Sequence, residues 1–421
     1  MAFAAAVPLR RLLRAAIGAI IKILRAHAAS GEFLQSAEGP MALRLSRSIV
    51  GEAEARAVSR VILEDGYLGI GNETRLFEEE LAAYLGVTPQ QVITTNTGTA
   101  ALHLAVDAVA SQCRVTGGKA EVLVPSLTFV ASFQAVTAAG CVPVACDVLP
   151  ETGTLDLNDA EKRLTPRTIA VMPVDYASNP WHLDEVYDFA RRKGLRVVED
   201  AAHAFGCRHH GRRIGSFGDM VCFSFDGIKN ITSGEGGCLV AFDAEAARLA
   251  SDARLLSVEN DAQKRFAGIR SWDPDVKRQG WRYHMSNLMA AIGRVQLSRL
   301  DGEFIPVRRA LAAIYAERLA DLPGLALLRT DPEDFIVPHI MPARILNGRK
   351  DAVKDALARE GIPTGVHYKP NHLLSFFGAG AVRLPVTEQL YAELVTLPLH
   401  PGLSREDVEK VCAALSRAVA A

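Results

Sequence analysis

Short apolar runs alternate with amphipathic segments along most of the chain after about residue 50. Apolar, β-branched runs predict strands, and segments with apolar residues three or four positions apart predict helices of about 10–15 residues. Strands are predicted at 91–94, 121–124, 142–148, 169–174, 195–199, 220–225 and 237–242, with helices at 101–110, 130–139 and 182–194. This alternation indicates an α/β fold with a large domain built on a mainly parallel sheet.

The pattern changes near residue 300. A helical stretch at 308–322 is followed by an apolar block at 336–346 and a second helical stretch at 351–361. The order of these segments predicts a smaller α+β domain at the C-terminal end. We therefore expect a large domain over residues 41–300 and a small domain over residues 301–421.

Residues 1–40 differ from the rest, because basic residues such as Arg14 and Arg25 interleave with leucine and isoleucine. This pattern predicts a basic amphipathic helix, and such a helix could lie on an anionic membrane surface. Lys22 interrupts the apolar stretch, which is too short to span a bilayer. The interpretation we favour is a mis-called start or a disordered extension, because Met41 opens a sequence typical of a globular domain.

The composition excludes several classes of protein. Hydrophobic residues make up 49% of the chain and charged residues 23%, so a mainly disordered state is excluded. The net charge of −1 shows no basic field for nucleic acid. The seven cysteines are scattered and odd in number, which predicts neither a disulfide framework nor a metal site and favours the reducing cytoplasm.

Polar residues follow several predicted strands, at the sheet edge where α/β proteins bind ligands. Hydroxyls and a glycine at 94–101 precede a helix, whose free N–H groups could bind an anion or be satisfied by ordinary capping. Asp200 and His203 follow another strand, and on a helical turn they would share one face. Their carboxylate could pair with a cationic ring nitrogen, or it could cap a helix.

Two further residues carry possible chemistry. Lys229 lies in a glycine-rich loop between apolar strands, and a desolvated lysine can form a Schiff base. Phe129 follows another strand and could stack on a planar ring, although a phenylalanine taken alone is more often part of the core. Pyridoxal phosphate is indicated by these features together, because it has a phosphate to be bound, a ring nitrogen that needs an acidic partner and an aldehyde that reacts with an amine.

The motifs carrying these residues resemble those of the DegT/DnrJ/StrS sugar aminotransferases, which are pyridoxal-phosphate enzymes of the aspartate-aminotransferase-like fold (fold type I). The resemblance covers about residues 41–421 and includes TGTAALHLA at 97–105, VPSLTFVAS at 124–132, VVEDAAHAFG at 197–206 and SFDGIKNITSGEGG at 224–237. It implies that Lys229 is the Schiff-base lysine and Asp200 the partner of the pyridinium nitrogen. His203 would contact the phenolic oxygen of the cofactor.

The resemblance also implies the remaining contacts. Phe129 matches the ring-stacking position, while Thr99, Ala100 and Ser224 match the phosphate cradle. Family members are homodimers with shared sites, and the phosphate contact from the partner subunit lies in a stretch that here reads 280–284. Arg282 replaces the usual asparagine there, and arginine can bind phosphate.

The implied reaction takes an amino group from a donor, usually glutamate, and passes it to a nucleotide-linked keto-sugar. Residues 174–180 resemble a stretch of family members that act at carbon 4, which favours amination there over carbon 3. Residues 366–372 resemble the family's segment facing the sugar, so His367, Tyr368 and His372 are the substrate-side candidates, although a polar surface loop would explain them equally well. Three alternatives stay open: a keto-inositol aminotransferase, a sugar dehydratase and a non-catalytic regulatory or membrane-associated relative. Dehydratases of the family carry histidine in place of the lysine, so Lys229 argues against that reaction.

Overall fold

A computed structural model describes residues 43–269, 272–273 and 275–421. The extension at 1–40 lies outside the described residues, so its predicted amphipathic helix and membrane contact stay predictions. Among the described helices, none is both long and apolar enough to cross a membrane.

Most of the strands form one large sheet, and a smaller sheet lies near the C-terminal end. The strands are β1 (Val92–Thr95), β2 (Glu121–Pro125), β3 (Val142–Cys146), β4 (Thr168–Val171), β5 (Arg196–Asp200), β6 (Arg208–His209), β7 (Arg212–Arg213), β8 (Met220–Ser224), β9 (Gly237–Ala241), β10 (Leu325–Leu327), β11 (Met341–Ile345) and β12 (Leu394–Leu397).

The large sheet has the strand order β1-β9-β8-β5-β4-β2-β3. Its pairings are parallel except for those of β9, which runs antiparallel to both β1 and β8. The predicted mainly parallel sheet is therefore confirmed. Strands such as β9 are buried along their whole length, which explains their continuous apolar sequence.

Helices cover both faces of this sheet. They are α1 (Glu52–Arg60), α2 (Asn72–Leu85), α3 (Gly98–Gln112), α4 (Val130–Ala138), α5 (Leu157–Lys162), α6 (Leu183–Lys193), α7 (Ala244–Ala253), α8 (Asp261–Phe266), α9 (Asn287–Arg299), α10 (Ile305–Leu319), α11 (Lys350–Arg359), α12 (Pro385–Glu393) and α13 (Arg405–Ala420). One apolar core joins α3, α4 and α7 to the sheet, and a second core joins α2 and α9 to it.

The C-terminal region has an apolar core of its own. The antiparallel sheet β10-β11-β12 packs with α10, α11 and α13 around residues such as Tyr315 and Leu415, both of which are fully buried. An α+β arrangement is thus present where the sequence predicts one. Leu43 also packs against this core, and the boundary near residue 300 stays a prediction.

Candidate active site

A cavity of about 330 Å³ opens at the carboxyl ends of β5 and β8, beside the start of α3. This is the edge at which a parallel α/β sheet places its ligands. Most of the site residues proposed from the sequence line this one cavity. They are Thr99, Phe129, Asp200, His203, Ser224, Lys229, His367 and Tyr368.

Lys229 lies in the loop that follows β8. Burial lowers the pKa of its amine to about 8, although the carboxylates of Asp200 and Asp226 act in the opposite direction. The loop is fixed by Asn230, whose side-chain amide donates to the carbonyls of Phe205 (3.0 Å) and Val337 (3.1 Å). The site therefore presents a firmly held amine that is partly neutral near pH 8 and can act as a nucleophile or a base.

Asp200 ends β5 with a carboxylate buried at the cavity wall. Burial raises its pKa, while hydrogen bonds from the Ser132 hydroxyl (2.7 Å) and the Ala202 N–H (3.2 Å), together with the charge of Lys229, favour the ionised form. A carboxylate with these donors can retain a negative charge opposite a cationic ligand atom.

His203 follows Asp200 in a turn rather than a helix, so the expected helical turn is wrong, yet both residues reach the cavity. His203 Nε2 lies 2.9 Å from the Tyr368 hydroxyl, and burial holds the pKa of His203 well below its usual range. His203 Nδ1 is buried and has no hydrogen-bond partner among the described residues. A ligand in the cavity could supply that partner.

The start of α3 forms the anion-binding end of the cavity. Gly98 allows this helix to begin directly against β8, because a Cβ atom there would lie 2.7 Å from Ser224 Cβ. The N–H groups of Gly98 and Thr99 open the helix, and such groups bind phosphate. The N–H of Ala100 donates to Thr97 Oγ1 (3.0 Å) and Ala100 does not line the cavity, so its place in the phosphate cradle stays a prediction.

Two other proposed residues lie away from this cavity. Arg282 is exposed and does not line it. His372 is buried, with its Nδ1 2.8 Å from Ser126 Oγ and its Nε2 3.4 Å from Glu388 Oε1. The position of His372 does not fit a direct contact with substrate in this cavity, and the ring instead supports the loop that carries Tyr368.

His367 and Tyr368 contribute the wall from the C-terminal region. His367 Nδ1 lies 2.8 Å from Thr396 Oγ1 in β12, and burial lowers the pKa of His367 to about 4. The Tyr368 ring lies beside Phe129, with 5.4 Å between ring centroids, and Phe129 keeps 54% of its surface exposed. A polar imidazole and two aromatic rings thus line the same cavity as the lysine.

Sequence reasoning missed His339 and Arg308. His339 Nε2 lies 3.4 Å from Lys229 Nζ, and the His339 ring packs on His203 with 4.5 Å between centroids. Arg308 is buried in α10 and donates to the carbonyls of Pro338 (3.2 Å), His339 (3.3 Å) and Lys229 (3.5 Å). The signal that could have found His339 is that it is the one histidine in the apolar block at 336–346.

Comparison with known proteins matches residues 49–416 to the DegT/DnrJ/EryC1/StrS aminotransferase family. The chain belongs to this family. It is 35% identical over 382 residues to the dTDP-4-dehydro-2,3,6-trideoxy-D-glucose 4-aminotransferase of Saccharopolyspora spinosa, a match covering 90% of this chain and 97% of that relative.

Solved structures agree with this assignment. The aminotransferase TlmJ from Streptoalloteichus hindustanus superposes with a TM-score of 0.82 at 32% identity, covering 90% of this chain and 99% of TlmJ. The pyridoxal-phosphate form of the putative sugar aminotransferase Spr1654 from Streptococcus pneumoniae gives a TM-score of 0.81 at 25% identity, covering 90% and 98%. The protein is thus a pyridoxal-phosphate-dependent aminotransferase with the expected fold.

The residues at the cavity fit this cofactor. A buried amine of lowered pKa suits the aldehyde, and a hydrogen-bonded carboxylate suits a protonated ring nitrogen. The opening turn of α3 suits the phosphate, and the unpaired Nδ1 of His203 leaves one polar atom for a ligand to satisfy.

Proposed function

We propose that this protein transfers an amino group from glutamate to a nucleotide-linked keto-sugar, at carbon 4 of the sugar rather than carbon 3. The observation that carries the proposal is the amine of Lys229, which faces the same cavity as Asp200, His203 and Tyr368. The similarity to the 4-aminotransferase of Saccharopolyspora spinosa supports carbon 4, because this chain matches 97% of the length of that enzyme.

The residues have distinct roles in this proposal. Lys229 would hold the cofactor aldehyde covalently, and its released Nζ would take a proton from the donor carbon and deliver it to the carbon on the other side of the transferred nitrogen. Asp200 would hold the proton on the ring nitrogen, and Ser224 with the start of α3 would hold the phosphate. When bound, pyridoxal phosphate supplies an electron-withdrawing ring that makes the donor C–H bond acidic.

The remaining residues would orient the reactants. Phe129 offers an exposed face for the cofactor ring, and His203 would contact its phenolic oxygen. His367 and Tyr368 would bind the sugar, since they line the cavity from the C-terminal region. Tyr368 is held toward His203 by the 2.9 Å hydrogen bond, which fixes the shape of this wall.

We also propose a homodimer in which Arg282 binds the phosphate of the neighbouring subunit. The exposed position of Arg282, outside the cavity of its own subunit, supports this arrangement. The cytoplasm is the proposed location, and the absence of disulfides among the cysteines, all of which are described, supports it.

The test is the absorbance spectrum of the full-length protein with pyridoxal phosphate, recorded before and after glutamate is added. We expect a bound-cofactor band that glutamate converts, and loss of both features in Lys229→Ala. Lys369→Ala is the matched control, because Lys369 is exposed and does not line the cavity. A native protein without the band would contradict the proposal.

The substrate is tested by mass spectrometry after the glutamate-treated protein is incubated with nucleotide-linked 4-keto and 3-keto sugars. We expect amination of the 4-keto compounds. Amination of 3-keto sugars or keto-inositols alone would overturn the proposed carbon and leave the aminotransferase assignment intact.

A further inference from the structure

Three metal-ligating side chains meet at a site away from the active-site cavity. Asp184 lies in the first turn of α6, His209 lies in β6, and His210 lies in the turn between β6 and β7. One ligand atom from each of the three lies within 4.8 Å of the others, and this is the one such group in the part of the chain that the structure describes.

Two of the three separations between these atoms match those of a tetrahedral ion. Asp184 Oδ2 lies 3.4 Å from His209 Nε2 and 3.4 Å from His210 Nδ1. Zinc binds histidine nitrogen and carboxylate oxygen at about 2.0–2.2 Å, which in a tetrahedron places neighbouring ligand atoms about 3.3–3.5 Å apart. The rings of His209 and His210 are stacked, with 4.0 Å between centroids and 25° between planes, so the half-exposed His210 ring must turn before both nitrogens point at one ion.

His209 is arranged as metal-binding histidines usually are. Its Nδ1 lies 2.8 Å from Asp334 Oδ1, and the Asp334 side chain has no exposed surface. A buried carboxylate on one ring nitrogen fixes the tautomer and leaves the other nitrogen with its lone pair available. That other atom, His209 Nε2, is buried and has no hydrogen-bond partner among residues 43–421 as far as they are described.

An ordinary ion pair explains the cluster less well. A charge-assisted N–H···O hydrogen bond is about 2.7–2.9 Å long, as the bond between His209 and Asp334 is at 2.8 Å. The two contacts of Asp184 are both 3.4 Å, so neither histidine nitrogen forms a close pair with that carboxylate. A separation of 3.4 Å is instead typical of two ligand atoms that bind the same zinc ion.

We propose that Asp184, His209 and His210 bind one divalent transition-metal ion of the zinc type. Imidazole nitrogens favour zinc, copper or nickel over magnesium and calcium, and solvent can occupy the fourth position because Asp184 and His210 are about half exposed. No metal site was expected from the sequence, since the ligands come from two segments separated by 24 residues.

The ion would have a structural role. It would join α6 to the β6–β7 hairpin, and Asp334 would connect both to the loop that follows β10. Asp331 supports the same connection, since its Oδ2 lies 3.5 Å from His210 Nε2. None of these residues lines the active-site cavity, so the proposal does not depend on the aminotransferase reaction.

The test uses the tag-free full-length protein after a chelator has removed bound metal. Isothermal titration calorimetry then measures its binding of Zn²⁺. We expect one Zn²⁺ per subunit, with binding lost in Asp184→Asn and His210→Asn. His182→Asn is the matched control, because His182 is similarly exposed, lies two residues from Asp184 and is paired with Glu185 instead. Asp334→Asn should weaken binding by about 10- to 100-fold, as loss of a supporting carboxylate does.

Two further readouts make the result decisive. Zn²⁺ should raise the unfolding temperature of the native protein and of His182→Asn, but not that of His210→Asn. Co²⁺ in place of zinc should give the intense visible bands of a tetrahedral site. Failure of the native protein to bind Zn²⁺, or equal binding by His210→Asn and His182→Asn, would overturn the proposal.

Discussion

The side chains of Lys229 and His339 meet with 3.4 Å between Nζ and Nε2, although the two residues are 110 positions apart. Arg308 holds both segments, because its guanidinium donates to the backbone carbonyls of Lys229 and His339. Burial lowers the pKa of Arg308 to about 10, and its donors go to carbonyls rather than to a carboxylate. The position of the reactive amine is thus coupled to the segment leading into β11.

Replacing His339 should slow the reaction without preventing cofactor binding. His339→Ala removes the group next to Lys229 Nζ, and loss of a hydrogen bond worth about 0.5–1.5 kcal/mol predicts a roughly 2- to 12-fold slower half-reaction with glutamate. His339→Gln retains a hydrogen-bonding group and should recover part of the rate. Single-turnover absorbance measurements check this, and equal rates in the native protein and in His339→Ala would contradict it.

The rate at which the stripped protein takes up pyridoxal phosphate should depend on the charge of Lys229. Burial lowers its pKa to about 8, and only the neutral amine attacks an aldehyde. The rate should therefore rise with pH below about 8 and level off above that value. Stopped-flow absorbance across this range measures the profile, and a rate still climbing steeply above pH 9 would contradict it.

Asp200→Asn supplies the matched variant for this profile. The carboxylate of Asp200 raises the pKa of Lys229 by favouring the ammonium form. Its removal should lower that pKa and move the rise in rate to lower pH. An unchanged or higher midpoint would show that Asp200 does not act on the lysine in this way.

Gly98 should be intolerant of a side chain. The Cβ atom of Gly98→Ala would lie 2.7 Å from Ser224 Cβ and 3.1 Å from Ser224 Cα, so the start of α3 must move away from β8. We expect weaker binding of pyridoxal phosphate and a loss of about 1–3 kcal/mol in stability. Gly302→Ala is the control, because nothing lies within 4 Å of its Cβ position; equal thermal midpoints and cofactor affinities in the two variants would contradict the argument.

The large sheet could be predicted from sequence because most of its strands, apart from the edge strand β3, are buried on both faces. Continuous apolar runs such as residues 122–124 leave little ambiguity once helices separate them. The antiparallel direction of β9 could not be predicted, since β8 and β9 are joined by a long loop that a hairpin pattern does not describe. Strand direction there depends on pairing with β1, which lies far away in sequence.

The candidate site was predictable where chemistry follows a strand directly. Asp200 and Lys229 are of this kind, and both line the cavity. His339 was missed because its relation to Lys229 arises only when α10 and the segment before β11 fold against the lysine loop. His372 was misplaced for the converse reason, since its neighbours in sequence reach the cavity while its own ring turns toward Ser126.

Ser132 should lower the pKa of Asp200. Its hydroxyl donates to Asp200 Oδ2 at 2.7 Å, and this hydrogen bond opposes the burial that raises the pKa of Asp200. Ser132→Ala removes the donor, so the pKa of Asp200 should rise further and a larger fraction should be protonated at any given low pH. If the ionised carboxylate is the working form, the acid limb of the activity profile should move to higher pH.

The activity of Ser132→Ala should approach that of the native protein at high pH, where Asp200 is ionised in both. Ser298→Ala is the control, because the Ser298 hydroxyl is exposed and donates only to the Val295 carbonyl of its own helix (2.7 Å). Steady-state rates measured from acid to alkaline pH separate the outcomes. A uniform loss of activity at every pH would show that Ser132 acts through packing, and an unchanged acid limb would show that Asp200 does not need its hydroxyl donor.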